Sequence, residues 1–271
     1  MKYAFMTFST PSLTLDQVLA TAKRYGYDGI EPRLVDRQAH GIEVEISSAA
    51  RREARAKVAD SGIALACIAT SCMYANPATT QANVDETFRC IDLAGDLGAP
   101  TIRVFGGKLG PGLSRADAIQ LVAESLLKVA GQAAARGVTV CVETHDDWCE
   151  PTHLAAVLKQ VNHPAIAINW DIMHPVRVAG ATMDSAFEAI KPWIGHVHLH
   201  DGAKDGTTAL APIGEGAIDH KRAVELLLSL PYRGFLSGEW IKWADPYEVH
   251  LPRELATMKS YEQLASSHLR R

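Results

Sequence analysis

Tyr3-Ala4-Phe5-Met6-Thr7-Phe8-Ser9-Thr10-Pro11 opens the chain with an apolar, strand-like run followed by a turn that holds no glycine. That turn decides between two architectures, because the rest of the chain alternates short β-rich runs with longer stretches of helical period. Such an alternation builds either a closed barrel or an open doubly wound sheet, and the open sheet often announces a nucleotide with a glycine-rich first turn. With no glycine between Thr7 and Pro11, the expected fold is α/β, a (β/α)8 TIM barrel.

Counting outward from this segment gives eight strand candidates: Tyr3 to Phe8, Gly29 to Arg33, Ala64 to Ala69, Thr101 to Phe105, Thr139 to Glu143, Ala165 to Asp171, His196 to His200 and Phe235 to Trp240. Helices are expected between them. Thr14 to Tyr25 opens on the capping-box pattern Thr14-x-x-Gln17 and closes before Gly26, and Ser114 to Arg136 opens on Ser114-x-x-Asp117 and closes before Gly137. Further helices are expected at Ser47 to Ser61, Gln81 to Gly98, Thr152 to Val161, Met183 to Ile190, His220 to Leu228 and Tyr247 to Ser266. No linker or low-complexity tract interrupts residues 1–271, so one barrel domain is expected throughout.

A chain of 271 residues with 47% hydrophobic residues has enough apolar mass for that core. Its 27 Lys and Arg against 31 Asp and Glu give a net charge of −4, which disfavours nucleic acid as a partner. The five scattered cysteines suggest a reducing compartment rather than a disulfide framework. No apolar run approaches a membrane span and no leader precedes Tyr3, so the expectation is a cytoplasmic protein without a membrane partner. A homo-oligomer is compatible with this composition.

Reactive groups in a barrel gather where strands end at their C-terminal face. The last four strand candidates all finish on ligand-type residues: Val142-Glu143-Thr144-His145, Trp170-Asp171-Ile172-Met173-His174, Gly195-His196-Val197-His198-Leu199-His200 and Gly238-Glu239-Trp240. Any one of them alone reads as a hydrogen-bonded rim group. Carboxylates converging from successive strand ends repel one another unless a cation lies between them, so the set of four reads as a metal site.

The series Glu143-Thr-His, Trp170-Asp171-x-x-His174, Gly195-His196-x-His198 and Gly238-Glu239-Trp240 resembles the xylose-isomerase-like TIM-barrel superfamily, which includes sugar isomerases, epimerases, inosose dehydratases and apurinic endonucleases. The resemblance implies that Glu143, Asp171, His198 and Glu239 hold one divalent ion. It also implies that His174 and Lys204, three residues after the metal Asp and six after the metal His, contact substrate oxygens. Ketose 3-epimerases of that superfamily carry a further Glu six residues after the first metal Glu, where this chain has Cys149, with Asp146, Asp147 and Glu150 nearby. Three carboxylates and an imidazole favour Mn²⁺, with Mg²⁺, Co²⁺ or Zn²⁺ as competitors.

The expected activity is that of a metal-dependent sugar isomerase or epimerase acting on a carbohydrate or polyol. Glu143 and Glu239 would form the catalytic pair, removing and returning a proton next to a carbonyl through a metal-stabilised enediolate. A lyase of the inosose dehydratase type is the alternative. The endonuclease branch adds metal-ligating histidines after the third and fourth strands, which Ala64 to Cys72 and Arg103 to Gly107 do not supply, and a non-catalytic barrel has no use for four ligands. Arg103 is a further substrate-binding candidate; for it and Arg33, a salt bridge to Glu31 or another rim carboxylate is the competing role. His196 and His200 read either as partners behind the ligands or as ordinary barrel residues.

Overall fold

In the computed structural model, which describes residues 1–207 and 209–269, the alternation becomes a nearly closed ring of nine parallel strands wrapped in helices. The strands of the ring are β1 (Lys2–Met6), β2 (Gly29–Glu31), β3 (Ala64–Leu65), β4 (Ile68–Met73), β5 (Thr101–Phe105), β6 (Thr139–Glu143), β7 (Ile166–Asp171) and β8 (Ile194–Leu199). A two-stranded antiparallel ribbon of β9 (Asp201–Gly202) and β10 (Leu210–Ala211) follows, and β11 (Phe235–Gly238) completes the ring. The order around the ring is β3-β2-β1-β11-β8-β7-β6-β5-β4.

The eight expected strands become nine because the third is split. Its first piece, β3, pairs with β2 and its second, β4, pairs with β5. The gap is spanned by Ala66 N donating to Ile30 O at 2.8 Å, by Ala69 N donating to Pro32 O at 2.9 Å, and by an Arg33–Ala69 bridge. The two ends of the sheet are therefore two stretches of one continuous segment.

The outer helices are α1 (Leu15–Tyr25), α2 (Ser48–Ser61), α3 (Thr80–Leu97), α4 (Arg115–Arg136), α5 (Pro151–Val161), α6 (Met173–Arg177), α7 (Met183–Ile190), α8 (His220–Leu228) and α9 (Tyr247–Leu269). Thr14 and Gln17 form the anticipated reciprocal cap, and Gly26 ends α1 with φ 82°. Ser114 likewise accepts from Asp117 N, and Gly137 closes α4 with φ 66°. No described helix is long and apolar enough to cross a membrane.

Parallel strands covered on both faces are buried along their whole length, and every residue of β7 is. What departs from an apolar interior is a band of buried polar residues, among them Glu31, Arg103, Glu143, Asn169, Asp171, His196 and His198. Strand register aligns them: Glu143 lies opposite Asn169, and Asp171 opposite His198, which lies opposite Ser237.

Gly238 marks how tightly the last strand end is fitted, since a Cβ there would run into the ring of Trp240. Gly238→Ala is expected to lower stability by about 1–3 kcal/mol through overpacking, read as a lower urea midpoint with an unchanged slope. A midpoint equal to that of the parent chain would contradict this packing.

Candidate metal centre

Glu143 is the last residue of β6, Asp171 the last of β7, His198 the fifth of β8, and Glu239 follows directly after β11. One ligand atom from each lies within 4.8 Å of the others, and all four residues are buried. The barrel has brought together the four residues singled out in the sequence.

His198 stands at the middle of the cluster. Its Nε2 lies 3.0 Å from Glu31 Oε1, while its Nδ1 lies 2.7 Å from Glu143 Oε1, 3.2 Å from Glu239 Oε2 and 3.0 Å from Asn169 Nδ2. The other Glu31 oxygen lies 2.9 Å from His196 Nε2. An ionised carboxylate only accepts hydrogen bonds, so Glu31 fixes a proton on His198 Nε2 and leaves the Nδ1 position facing two more carboxylates. Acceptor against acceptor is unfavourable there unless Nδ1 gains a proton or a cation enters.

The charge balance has the same shape. Burial works against the charged ring of His198, but Glu31, then Glu143 and the bonds to Glu143 and Glu239, hold its pKa well above the usual range. Burial similarly opposes ionisation of Glu239, yet hydrogen bonding and charge from His198, with His200 and Arg103, bring its carboxyl down to about 2. Asp171 is fully buried and held well below the usual carboxylate range, burial being outweighed chiefly by His200 and His174. Its Oδ1 accepts from Met173 N and His174 N at 2.9 and 3.2 Å. Its Oδ2 approaches His200 Nε2 at 2.7 Å without hydrogen-bond alignment to any described donor. Glu143 Oε2 is likewise buried and unaligned, 3.3 Å from Arg103 Nε.

Three buried carboxylates, one imidazole whose Nδ1 faces two of them, and two carboxylate oxygens without aligned donors suit a divalent cation, which would take the place of the Nδ1 proton. These residues fit such an ion.

The remaining sequence candidates fall at graded distances from the cluster. His174, on α6, is mostly buried, with Nε2 3.7 Å from Asp171 Oδ2 and its ring edge-on to His145 and His200 at 4.5 and 5.3 Å. Arg103 is fully buried, donating to Thr70 O at 2.9 Å and lying 4.0 Å over the Phe105 ring, so it faces Glu143 rather than Glu31. Lys204 is exposed in the turn between β9 and β10. Cys149 is buried, its thiol donating to Asp146 O at 3.1 Å, while Glu150 caps α5 and Asp147 accepts from Leu109 N. Arg33 binds Ala69 O and Ser71 Oγ.

Two residues of this network went unassigned in the sequence. Glu31 ends β2 as Glu143 and Asp171 end β6 and β7, but that strand was expected to run on to Arg33, so Glu31 read as a residue inside it. Asn169 carries no comparable signal, because only strand register puts it beside Glu143.

A model of the xylose isomerase-like TIM barrel family matches residues 19–263. Among solved structures, an L-ribulose 3-epimerase superposes with a TM-score of 0.82 at 19% identity, covering 100% of this chain and 97% of its own. The 3-keto-D-glucoside 4-epimerase of E. coli gives 0.78 at 17%, with 96% and 99% covered. The "probable 3-DHS dehydratase" of Bacillus anthracis gives 0.77 at 20%, with 96% and 99% covered. At these identities the likeness is one of fold. No curated protein sequence matches the chain significantly.

Because Glu31 sets the His198 proton, Glu31→Gln is expected to weaken divalent-metal affinity by roughly 10- to 100-fold with the barrel intact, as measured by competition titration beside circular dichroism. Unchanged affinity would remove Glu31 from the centre.

Proposed function

The chain belongs to the xylose isomerase-like TIM barrel family, and from that premise we propose that it is a divalent-metal-dependent isomerase or epimerase acting on a sugar or sugar derivative. The observation that carries this reading is the convergence of Glu143, Asp171, His198 and Glu239 on one buried point at the C-terminal face of the barrel. When bound, a divalent ion, Mn²⁺ being favoured by the oxygen-rich donors, supplies Lewis-acid stabilisation of negative charge on neighbouring sugar oxygens.

The chain's own residues supply the proton transfers. Glu143 and Glu239 reach the cluster from β6 and from the residue after β11, one removing the proton beside the carbonyl and the other returning it. Return to the same carbon gives an epimer, and return to its neighbour gives aldose-ketose interconversion. His174 orients a substrate oxygen from the polar side of the cluster. Arg103 acts through Glu143, whose position it sets from beneath, and Lys204 contacts substrate from the rim.

A second reading is a lyase acting on a keto-sugar or keto-polyol, in which the same proton abstraction is followed by loss of a β-hydroxyl. It draws support from the loop after β6. Where free-ketose 3-epimerases are expected to carry a Glu, Cys149 is tied to Asp146 O, and the neighbouring Glu150 is spent on its own helix cap.

The Mn²⁺-loaded protein, given keto-sugars, inososes and 3-keto-glycosides in deuterated water, is expected to exchange a hydrogen next to the carbonyl. An unsaturated, dehydrated product would instead identify the lyase. Glu239→Gln, with metal content measured alongside and excess Mn²⁺ supplied, should lose about 100- to 10,000-fold in rate. His174→Asn should lose activity while keeping its metal. A Glu239→Gln protein that keeps its metal and turns over at the parent rate would falsify the role given to that carboxylate.

A further inference from the structure

On the same C-terminal face of the barrel as the metal centre, the ribbon after β8 and the loop after β11 line an open cavity of about 410 Å³, whose walls include Leu210, Pro212, Ile241, Lys242, Trp243 and Asp245. It adjoins the site by chain geometry: Ile241 is two residues beyond Glu239, and Leu210 and Ala211 pair with the Asp201–Gly202 strand that follows His200. None of the roles given above to the metal ligands or their neighbours uses this space.

The walls are held in place. Arg253 on α9 bonds Asp245 Oδ2 at 2.7 Å and Glu254 Oε1 at 2.9 Å, and fully buried Glu254 accepts from Ile213 N at 2.7 Å. One charged chain thus ties the loop after β11 to α9 and to the segment following β10. Trp243 is fixed by the Arg253 guanidinium 5.9 Å over its ring and by His250 at 6.1 Å.

The lining chemistry is unlike that of the metal cluster. Leu210, Pro212, Ile241 and Trp243 are apolar, and the carboxylate of Asp245 is already engaged by Arg253. Ile241 is nevertheless 42% exposed, a large apolar side chain left open at the cavity. The indole N–H of Trp243 is buried away from the cavity surface, so what this residue offers an incoming group is its ring. Apolar walls and one aromatic face are the recognition elements that a small-molecule pocket of this size offers to an apolar group.

We propose that this cavity is a second subsite, which takes the apolar or aromatic aglycone of a glycoside whose sugar ring is handled at the metal centre. The substrate class is then a glycoside or other sugar conjugate rather than a free monosaccharide. The proposal rests on the metal centre being the sugar site, and its test is made by binding so that it stands apart from turnover.

Phenyl β-D-glucopyranoside and methyl β-D-glucopyranoside share a sugar and differ in the aglycone. Titrated calorimetrically into the Mn²⁺-loaded protein, the phenyl compound is expected to bind about tenfold more tightly, equivalent to about 1.4 kcal/mol. Trp243→Ala should abolish that preference while leaving metal content unchanged. Ile241→Ser, at an exposed position that folding does not depend on, should reduce the preference even if the tryptophan variant folds poorly. Equal affinities for the two glycosides, binding of neither, or a preference that survives both substitutions would overturn the subsite. A phenyl preference without any hydrogen exchange would leave the subsite standing and count against the isomerase reading alone. Exchange on free keto-sugars without the preference would do the reverse.

Discussion

The structure depends on one electrostatic constraint, which is that the carboxylates of Glu143, Asp171 and Glu239 are buried within reach of one another. Three such charges in a low-dielectric interior are tolerable only when each is compensated. The barrel answers each in a different way. Arg103 lies against Glu143, backbone N–H groups at the start of α6 hold one oxygen of Asp171, and His198 reaches both Glu143 and Glu239. Asp171 Oδ2 and Glu143 Oε2 lie within ion-pair distance of His200 and Arg103 but accept no aligned hydrogen bond, which leaves both oxygens able to take a cation.

Glu31 extends the same logic one layer outward. A carboxylate shared between His196 and His198 holds both rings by their Nε2 atoms, and so decides which nitrogen of His198 faces inward. The histidine is a useful ligand only in that tautomer, so the chemistry proposed for the centre depends on a residue contributed by β2, on the side of the ring remote in sequence from β8. Pairing with β1, which sets Glu31 opposite Met6, holds β2 in register with the rest, and β3 and β4 close the ring on its other side.

Much of this could be read from the residues in order. The strand-to-helix alternation, the Thr14 and Ser114 caps and the four strand-end candidates are local signals, each carried by a few consecutive side chains; the structure contains the alternation and the caps and brings the four candidates together. The split of the third strand was not legible, because it follows from pairing with two different neighbours on either side. Nor was the short helix α6, whose five residues are nucleated by the Asp171 side chain capping Met173 N and His174 N rather than by any apolar periodicity. Asn169 and the Arg103–Glu143 pair are tertiary facts: register sets the first, and the choice between Glu31 and Glu143 as the partner of Arg103 turns on barrel curvature that no linear pattern encodes. The carboxylate of Glu31 was passed over because its strand was expected to run on to Arg33, so it read as a residue within the strand rather than at its end.

The two sides of the barrel mouth differ in character, and the difference bears on how a substrate lies there. Toward β5 and β6 the cluster is flanked by a run of rings, Phe105 against His145 at 5.0 Å, His145 against His174, and His174 against His200, with Asp146 Oδ2 paired to His145 Nδ1 at 3.2 Å. Burial works against charge on His145, but the Asp146 bond and the charges of Glu143 and Asp171 outweigh it and raise its pKa to about 9. Toward β10 and β11 the surroundings turn apolar, with Leu210, Ile241 and Trp243. A molecule polar at one end and apolar at the other has one favourable orientation between such walls, with its hydroxyls toward the histidines and its hydrocarbon toward Trp243, because the reverse would bury hydroxyls without partners. Under the proton-transfer roles proposed for Glu143 and Glu239, fixing the long axis of the substrate in this way would also fix which carbon meets each of them, so the asymmetry of the mouth would set the regiochemistry of the reaction.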